Sequence, residues 1–439
     1  MKQMRLRNSL LISTLIAGLQ IVSGQQTTLT LGQAIQTALN NNLQLQIAKN
    51  DAEIAHNNNY PGNAGMMPQV NFNASDNPSL ANINQKFTNG TSIERNNVFS
   101  NSINANITAT YTLYDGSKMY ATKRKLEAGD MAGRNLLKAQ IQSTISNVII
   151  SYSNIVRQKK YLEVLKQLIE LSEQRLEIVK ARQIAGLANN TDLYLAQLDL
   201  ETRKQNILSQ NALIANAYTD LNLLMNIKAD SVYVIEAFTL SGKTIVKSEL
   251  DSLIKQNPDL MLAENQVAIA LQTQKEIAAA RMPSLRLTGA YNYSLQQSQA
   301  GFSLYNQSMG PQAGLLLSVP LFTGSINAHN YRNAELNLQS SQWRQQQTLQ
   351  NVRGSYAQAW QNYASSIEQL KSDSSALATA KEYIDLMQTR FKAGQNTIIE
   401  LKEAQRSYEE IQYRYISNQY IAKLAETQLL ALTGQLVGN

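Results

Sequence analysis

The sequence contains an internal repeat. Residues 113–117 (LYDGS) match residues 321–325 (LFTGS), which lie 208 positions later. Residues 182–197 (RQIAGLANNTDLYLAQ) match residues 390–405 (RFKAGQNTIIELKEAQ) at the same interval. Because two separate motifs keep one interval without a gap, chance is a poor explanation. The sequence therefore predicts two related halves, and missing such a repeat would misassign the fold.

The matches divide the chain into four parts. We predict a signal peptide at 1–24, a first repeat at 25–227, a connector at 228–246 and a second repeat at 247–439. The start of each half matches more loosely, at intervals of 217 for residues 40–43 and 215 for residues 68–70. Helix-capping sequences open both halves, Thr30 with Gln33 and Ser248 with Asp251.

The N-terminal segment and the composition limit the classes of function. Lys2, Arg5 and Arg7 precede a mostly apolar run and then Ser23-Gly24, which is typical of a secretory signal peptide, with a single membrane anchor as the alternative. Removing it leaves 36 Lys and Arg against 32 Asp and Glu, too mild an excess to indicate nucleic-acid binding. Without cysteine and with two histidines, neither a metal site nor another cofactor is predicted.

Each half contains one predicted β-hairpin. Residues 101–114 (NSINANITATYTLY) alternate strictly between apolar and polar side chains, which indicates a strand with two different faces. Weaker alternation occurs near residues 70–74, 285–293 and 315–321, with loops predicted at 76–100 and 294–311. The strands suit a tilted crossing of a bilayer, which takes about 9–11 residues. A soluble β-sandwich is the alternative, but four strands cannot close a barrel, so closure would need several subunits.

Long helical patterns follow both hairpins. Residues 325–393 stay helical in pattern and would extend for about 100 Å. A coiled-coil spacing runs through Leu165, Ser172 and Val179. Gly186 and Gly394 stand where each long helix must reverse, and Thr191 and Thr397 are predicted to cap the return helices.

The repeated motif between strand and helix is predicted to be a junction rather than a catalytic loop. Pro320 lacks an amide hydrogen and suits the end of a strand, and Gly116 and Gly324 allow a sharp change of backbone direction. Leu113 and Phe322 are the apolar positions of the two copies.

These motifs, in this order and in duplicate, resemble TolC-type outer-membrane efflux proteins. The resemblance covers nearly all of the chain after the signal peptide. It implies a mixed α/β fold in which a homotrimer builds a twelve-stranded transmembrane β-barrel, four strands per chain, continued by a periplasmic α-helical barrel. It also implies the outer membrane of a Gram-negative bacterium, contact with outer-membrane lipid, and the partners of an exit duct: a periplasmic adaptor and an inner-membrane pump or ABC-type transporter.

The resemblance also implies roles for single residues. Glu400 and Glu403 stand where the family has a constricting ring of aspartates at the periplasmic gate. The adaptor-docking helical tips would comprise Arg182, Gly186, Thr191, Asp192, Leu193, Arg390, Gly394 and Leu401. Asn396 and Phe391 depart from the pattern, because the best-known member has an arginine and a tyrosine in closing contacts at these places.

Two other classes of function compete with a duct. An enzyme would need a recognisable site, but the sequence has no G-x-S-x-G, P-loop or H-E-x-x-H motif, and no catalytic residue is predicted. A periplasmic or surface coiled-coil scaffold without transport would explain the helices. It would leave the amphipathic strands and the strand-to-helix junctions unexplained.

Overall fold

The structure, a computed structural model, describes residues 28–237 and 254–437. Its helices are α1 (Leu31–Asn41), α2 (Leu43–Asn58), α3 (Lys118–Ile184), α4 (Asn190–Leu224), α5 (Pro258–Ala279), α6 (Ile326–Lys392) and α7 (Ile398–Leu432). Its strands are β1 (Thr28–Leu29), β2 (Gln69–Lys86), β3 (Ser92–Tyr114), β4 (Val234–Ile235), β5 (Ser284–Ser298) and β6 (Tyr305–Ser318). Three predictions fall outside the described residues: the signal peptide, the capping pair Ser248 and Asp251, and residues 238–246 of the connector.

The predicted duplication is present in the fold. Both long helices, α3 and α6, have 67 residues, and both return helices, α4 and α7, have 35. At 1.5 Å per residue a long helix extends for about 100 Å. Within the described ranges, no helix is both long and apolar enough to cross a membrane.

Helices α2 and α5 each begin after a capping asparagine that also contacts the end of a return helix. Asn42 caps α2 by accepting from the amide of Leu45, and its Nδ2 donates to the carbonyl of Leu224 at the end of α4 (2.9 Å). Asn257 does the same for α5 and donates to the carbonyl of Leu432 (3.0 Å). The two asparagines are 215 positions apart, so the interval of 217 expected from the sequence is wrong for this part of the repeat.

The four long strands form one antiparallel sheet in the order β2-β3-β5-β6. Apolar side chains share one face, as in the row formed by Phe72, Ile107, Tyr291 and Pro311 across the four strands. The other face carries Asn and Thr side chains, and Asn73 bonds to Asn106 across it (3.0 Å). The outer edges of β2 and β6 have no strand partner in the described chain.

The hairpins are longer than the sequence predicted. The strands continue through most of both predicted loops, and only residues 87–91 and 299–304 turn. The alternation fades there because most side chains of β2 and of the first part of β3 are exposed on both faces. The first hairpin also extends beyond the sheet as an arm, since β3 pairs with β5 only from Ser100 onward.

The two strand-to-helix junctions use left-handed backbone, as predicted. Gly116 and Gly324 have φ of +71° and +60°. A Cβ on Gly116 would lie 2.4 Å from Cβ of Met282, so glycine also lets the end of α5 pack closely. Pro320 was expected in the last turn of its strand, which is wrong: β6 ends at Ser318, so the proline lies in the connection to α6.

A compact core surrounds the middle of α3. Helices α1, α3 and α4 bury Ala38, Val148 and Leu221 completely. The hydroxyl oxygen of Tyr152 lies 2.9 Å from the backbone oxygens of both Leu29 in β1 and Glu236 after β4, so its single proton is shared between the two acceptors. Burial raises the pKa of the Tyr152 hydroxyl to about 12, which keeps this donor protonated.

Candidate functional site

The candidate site is the end of the molecule where both helical hairpins turn. Gly186 follows α3 with φ of +70°, and its amide donates to the carbonyl of Gln183 (3.0 Å). Gly394 follows α6 with φ of +76°, and its amide donates to the carbonyl of Phe391 (3.1 Å). Both turns therefore satisfy the last carbonyls of a long helix with a left-handed glycine, as predicted.

The return helices start with capping boxes. Asn189 caps α4: its side chain accepts from the amide of Asp192 (2.8 Å). Thr191 was expected in this role, which is wrong, because it lies in the first turn of α4 and the better-placed asparagine precedes it. Thr397 caps α7 as predicted, and its hydroxyl accepts from the amide of Glu400 (3.2 Å).

The two predicted gate carboxylates differ in their bonding. Glu400 accepts hydrogen bonds from the amide (2.7 Å) and hydroxyl (3.0 Å) of Thr397. The backbone hydrogen bond from Thr397 lowers the pKa of Glu400, so its charge is stabilised by the helix start. Glu403 is exposed and has no ion pair in the described part of the chain. Both glutamates are exposed, whereas the adjacent residues Leu401 and Ala404 are buried.

The ends of the two hairpins pack on one apolar core. Its buried members are Leu176, Val179, Ala196, Leu200, Ile384, Met387, Phe391, Leu401 and Ala404. Phe391 is 1% exposed and Leu401 is 2% exposed. The expectation that Leu401 meets a partner protein is therefore wrong for this conformation, because its side chain is used inside the chain. Leu193 is partly buried against the same core.

Arg182 connects the first turn to the second. Its guanidinium lies over the ring of Phe391, with Cζ 4.9 Å from the ring centroid. Its Nη2 would be 2.8 Å from a Cβ at Gly394. The side chain of Arg182, which is predicted to dock a partner, is half-buried and contacts the other hairpin. Arg390, in the matching position of the second repeat, is exposed.

Asn396 occupies the second turn without satisfying all of its polar atoms. Its Nδ2 donates to the carbonyl of Met387 (3.0 Å). Its Oδ1 is buried and has no hydrogen-bond partner among the described residues. The side chain therefore holds the turn from inside.

A buried ionic cluster joins the hairpins a few turns from their ends. Arg175 of α3 is 2% exposed and forms an ion pair with Asp199 of α4. Its Nη1 also donates to Oε1 of Gln405 on α7 (2.6 Å). The hydroxyl of Ser172 donates to the Asp199 carboxylate (3.0 Å). One guanidinium thus bonds to both return helices.

A second arginine extends this cluster. Nε of Arg203 lies 3.2 Å from Oδ2 of Asp199, and its Nη1 lies 3.0 Å from Oε2 of Glu409 on α7. Desolvation opposes ionisation of Asp199, but the charges of Arg175 and Arg203 outweigh it and lower the pKa of Asp199. Desolvation lowers the pKa of Arg175, because burial disfavours its charge.

This cluster was not predicted from the sequence. Asp199 and Arg203 are four residues apart on α4, a spacing that brings opposite charges together, and this was the available signal. Arg175 gave no such signal, because its partners come from other helices. Within residues 28–237 and 254–437, no group of three or more His, Asp and Glu side chains is arranged to hold a metal ion.

Both the sequence and the fold are similar to those of known proteins. The family model described as "Outer membrane efflux protein" matches residues 34–226 and 250–435. Outer membrane protein TolC of Escherichia coli strain K12 is 22% identical over 426 residues, with 92% of this chain and 84% of that protein covered. Cation efflux system protein CusC of the same strain is 23% identical, with 66% of this chain and 64% of that protein covered.

Solved structures give the same result for the fold. The CmeC outer membrane channel of Campylobacter jejuni superposes with a TM-score of 0.79 at 19% identity, covering 92% of this chain and 85% of that one. CusC superposes with a TM-score of 0.75 at 20% identity, covering 92% and 91%. These similarities extend over both repeats of the chain described above.

Proposed function

The chain belongs to the outer membrane efflux protein family, and from this membership we propose that it is the outer-membrane exit duct of a tripartite efflux or type I secretion system. The TolC-type assignment expected from the sequence is confirmed. Membership also assigns the protein to the outer membrane and to a family of channels rather than enzymes. The duct would pass small molecules or proteins outward.

One observation carries the proposal. A four-stranded sheet with an apolar and a polar face has two open edges, β2 and β6, and runs directly into two helices of 67 residues. An open edge is not tolerated in lipid, so the edges must pair with other copies. Three copies would supply twelve strands with the polar face inward. A scaffold without transport would have no use for such a sheet.

The partners in this proposal are a periplasmic adaptor and an inner-membrane pump or ABC-type transporter. The turn of the first hairpin exposes large apolar side chains, with Ile184 89% and Leu187 77% exposed. We place the adaptor contact on this turn, together with Gly186, Thr191 and Asp192. Arg390 and Gly394 would extend the contact to the second turn.

The gate in this proposal is the second turn. Three copies of Glu400 and Glu403 would bring six carboxylates towards one axis. They lie three positions apart, so their side chains occupy neighbouring positions of α7 and two stacked rings are geometrically possible. Such rings attract cations at a constriction.

The test measures assembly and conduction together. The purified protein in mild detergent should have the mass of a trimer and should conduct ions in a planar bilayer. A stable monomer that retains its β signal would contradict the barrel. Release of the native protein from cells without detergent would favour the scaffold.

A further inference from the structure

A groove with two unpaired cations lies beside the first strand-to-helix junction. It is formed by the start of α3 and the end of α5 and has a volume of about 440 Å³, within the roughly 300–1,000 Å³ of small-molecule sites. Arg124 and Lys275 line it, and both are exposed. Neither forms an ion pair within the described part of the chain. Ser117, Tyr120 and Gln272 add polar groups to the lining.

The neighbouring charges have other partners. Glu276 forms an ion pair with Lys125, and Glu127 pairs with Lys123 (3.3 Å). The carboxylate of Asp115 accepts from the amide of Met119 at the start of α3 (3.0 Å), so this helix start is already capped. The attraction for an anion therefore comes from the two free side chains.

The hydrogen bonds between the strands show on which side of the sheet the groove lies. Phe99 lies on the apolar face of β3, and its backbone oxygen accepts from the amide of Gln299, just beyond β5 (3.0 Å). Residues of β3 on the apolar face therefore bond towards β5. We view the sheet from its apolar face, with β3 descending towards the helices. In this view the chirality of L-residues places β5 to the left of β3. Helix α5 leads into β5 and lies to the left of α3.

The handedness of α3 completes the placement. Lys125 turns left to Glu276 on α5, and Lys123 turns right towards α2. On a right-handed helix descending from β3, this turns Tyr120 and Arg124 towards the viewer, on the side of the apolar face. The groove thus opens just below the apolar face of the sheet.

We infer that this groove binds the phosphate group of a phospholipid in the periplasmic leaflet of the outer membrane, with Arg124 and Lys275 as the charged ligands. In the proposed barrel, the apolar face of the sheet contacts the acyl chains of the membrane. The lower border of this face therefore lies at the level of the lipid headgroups. Arginine and lysine both bind phosphate oxygens well. The inference goes beyond the proposed export role and rests on the barrel being in lipid.

Gly116 shapes the floor of the groove. A side chain there would meet Met282 and the backbone oxygen of Ala279 (2.8 Å), which would force α5 away from α3. The small residues Ala121 and Ala278 also line the groove. Because these residues have small side chains or none, space for a headgroup remains between the helices.

The test counts phospholipids bound to the detergent-solubilised protein. Phosphatidylglycerol is titrated into the protein and read by native mass spectrometry. Arg124→Gln/Lys275→Gln should weaken binding by about 25-fold, since each basic side chain near a lipid surface contributes roughly fivefold. The matched control, Lys166→Gln/Lys371→Gln, removes two exposed lysines farther along α3 and α6 and should bind like the wild type.

Other results of these measurements would support or overturn the assignment of the groove to a phospholipid. Equal binding by the two double variants overturns it. Inorganic phosphate that binds with the affinity of phosphatidylglycerol identifies a free-phosphate site and overturns the lipid assignment. Bilayer conductance of Arg124→Gln/Lys275→Gln should stay at the wild-type level. A wild-type protein that binds phosphatidylglycerol but never conducts would count against the exit duct and leave the lipid site intact.

Discussion

The turn of the first helical hairpin and the turn of the second share a backbone but differ in their surroundings. A Cβ at Gly186 would meet nothing within 4 Å, whereas one at Gly394 would meet Arg182 of the first hairpin. The first turn exposes Ile184 and Leu187, and the second buries Phe391. Two copies of one motif have thus become a free turn and a supported turn. The difference teaches that tertiary neighbours, rather than the local sequence, decide what a repeated element does.

Asp199→Ala should reduce the difference between the two turns more than any other substitution. It leaves Arg175 buried without its counter-charge, and removing one partner of a buried pair costs about 3–5 kcal/mol. Hydrogen exchange in α4 and α7 near the turns should therefore accelerate, and both turns should become equally free.

The control for this experiment replaces both partners. Arg175→Met/Asp199→Leu removes the charges while keeping volume, and Arg203 keeps Glu409 as a partner. Its exchange should be close to that of the wild type. Wild-type protection in Asp199→Ala would show that the cluster does not hold the hairpins together.

The second test compares Gly186→Ala with Gly394→Ala. Each places an L-residue in a left-handed turn, which costs about 1–2 kcal/mol. Gly394→Ala should cost more, because Arg182 must also leave the ring of Phe391. Thermal unfolding should rank Gly186→Ala as the milder change. In an Arg182→Ala background the two variants should become alike, and a persistent difference would contradict the supporting role of Arg182.

The third test isolates the contact between Arg182 and Phe391. A double-mutant cycle with Arg182→Met and Phe391→Leu should give a coupling of about 1 kcal/mol, as for a partly buried cation over an aromatic ring. Arg390→Met should show no coupling with Phe391→Leu, because Arg390 is exposed. Coupling of the same size in both cycles would assign the effect to general charge.

The smallest effect on stability should come from Glu400→Gln/Glu403→Gln. Glutamine retains the capping hydrogen bond of Glu400, so the free energy of unfolding should change by less than about 0.5 kcal/mol. If the second turn is the gate, cation selectivity and block by multivalent cations should nevertheless fall in planar bilayers. Asp192→Asn at the first turn is the control. Unchanged selectivity would place both glutamates on a solvated face.

Much of the fold could be predicted because its signals are local. Period-two alternation predicted β3, and the long stretch without proline predicted α6 within one residue at each end. The turn glycines followed from the need for left-handed backbone. The strands of the arm were missed because Asn and Ser residues such as those around Asn82 show no alternation when both faces are wet.

The site was predicted less well, because its contacts are not local. Leu401 and Arg182 were predicted to dock the adaptor, but their contacts with the other hairpin were not predicted. Arg175 lies 24 residues from Asp199 and 230 residues from Gln405 in sequence, and no periodicity reports such pairings. The duplication predicted that two turns exist, but not that one supports the other.

The length of α6 turns small movements at the membrane end into large ones at the far end. The helix is uninterrupted over 67 residues, so it acts as a lever about 100 Å long. A tilt of about one degree at Gly324 moves the second turn by nearly 2 Å, a distance comparable to the length of a hydrogen bond. The ionic cluster joins the two hairpins near the turns, at the end of the lever where such a displacement would be greatest.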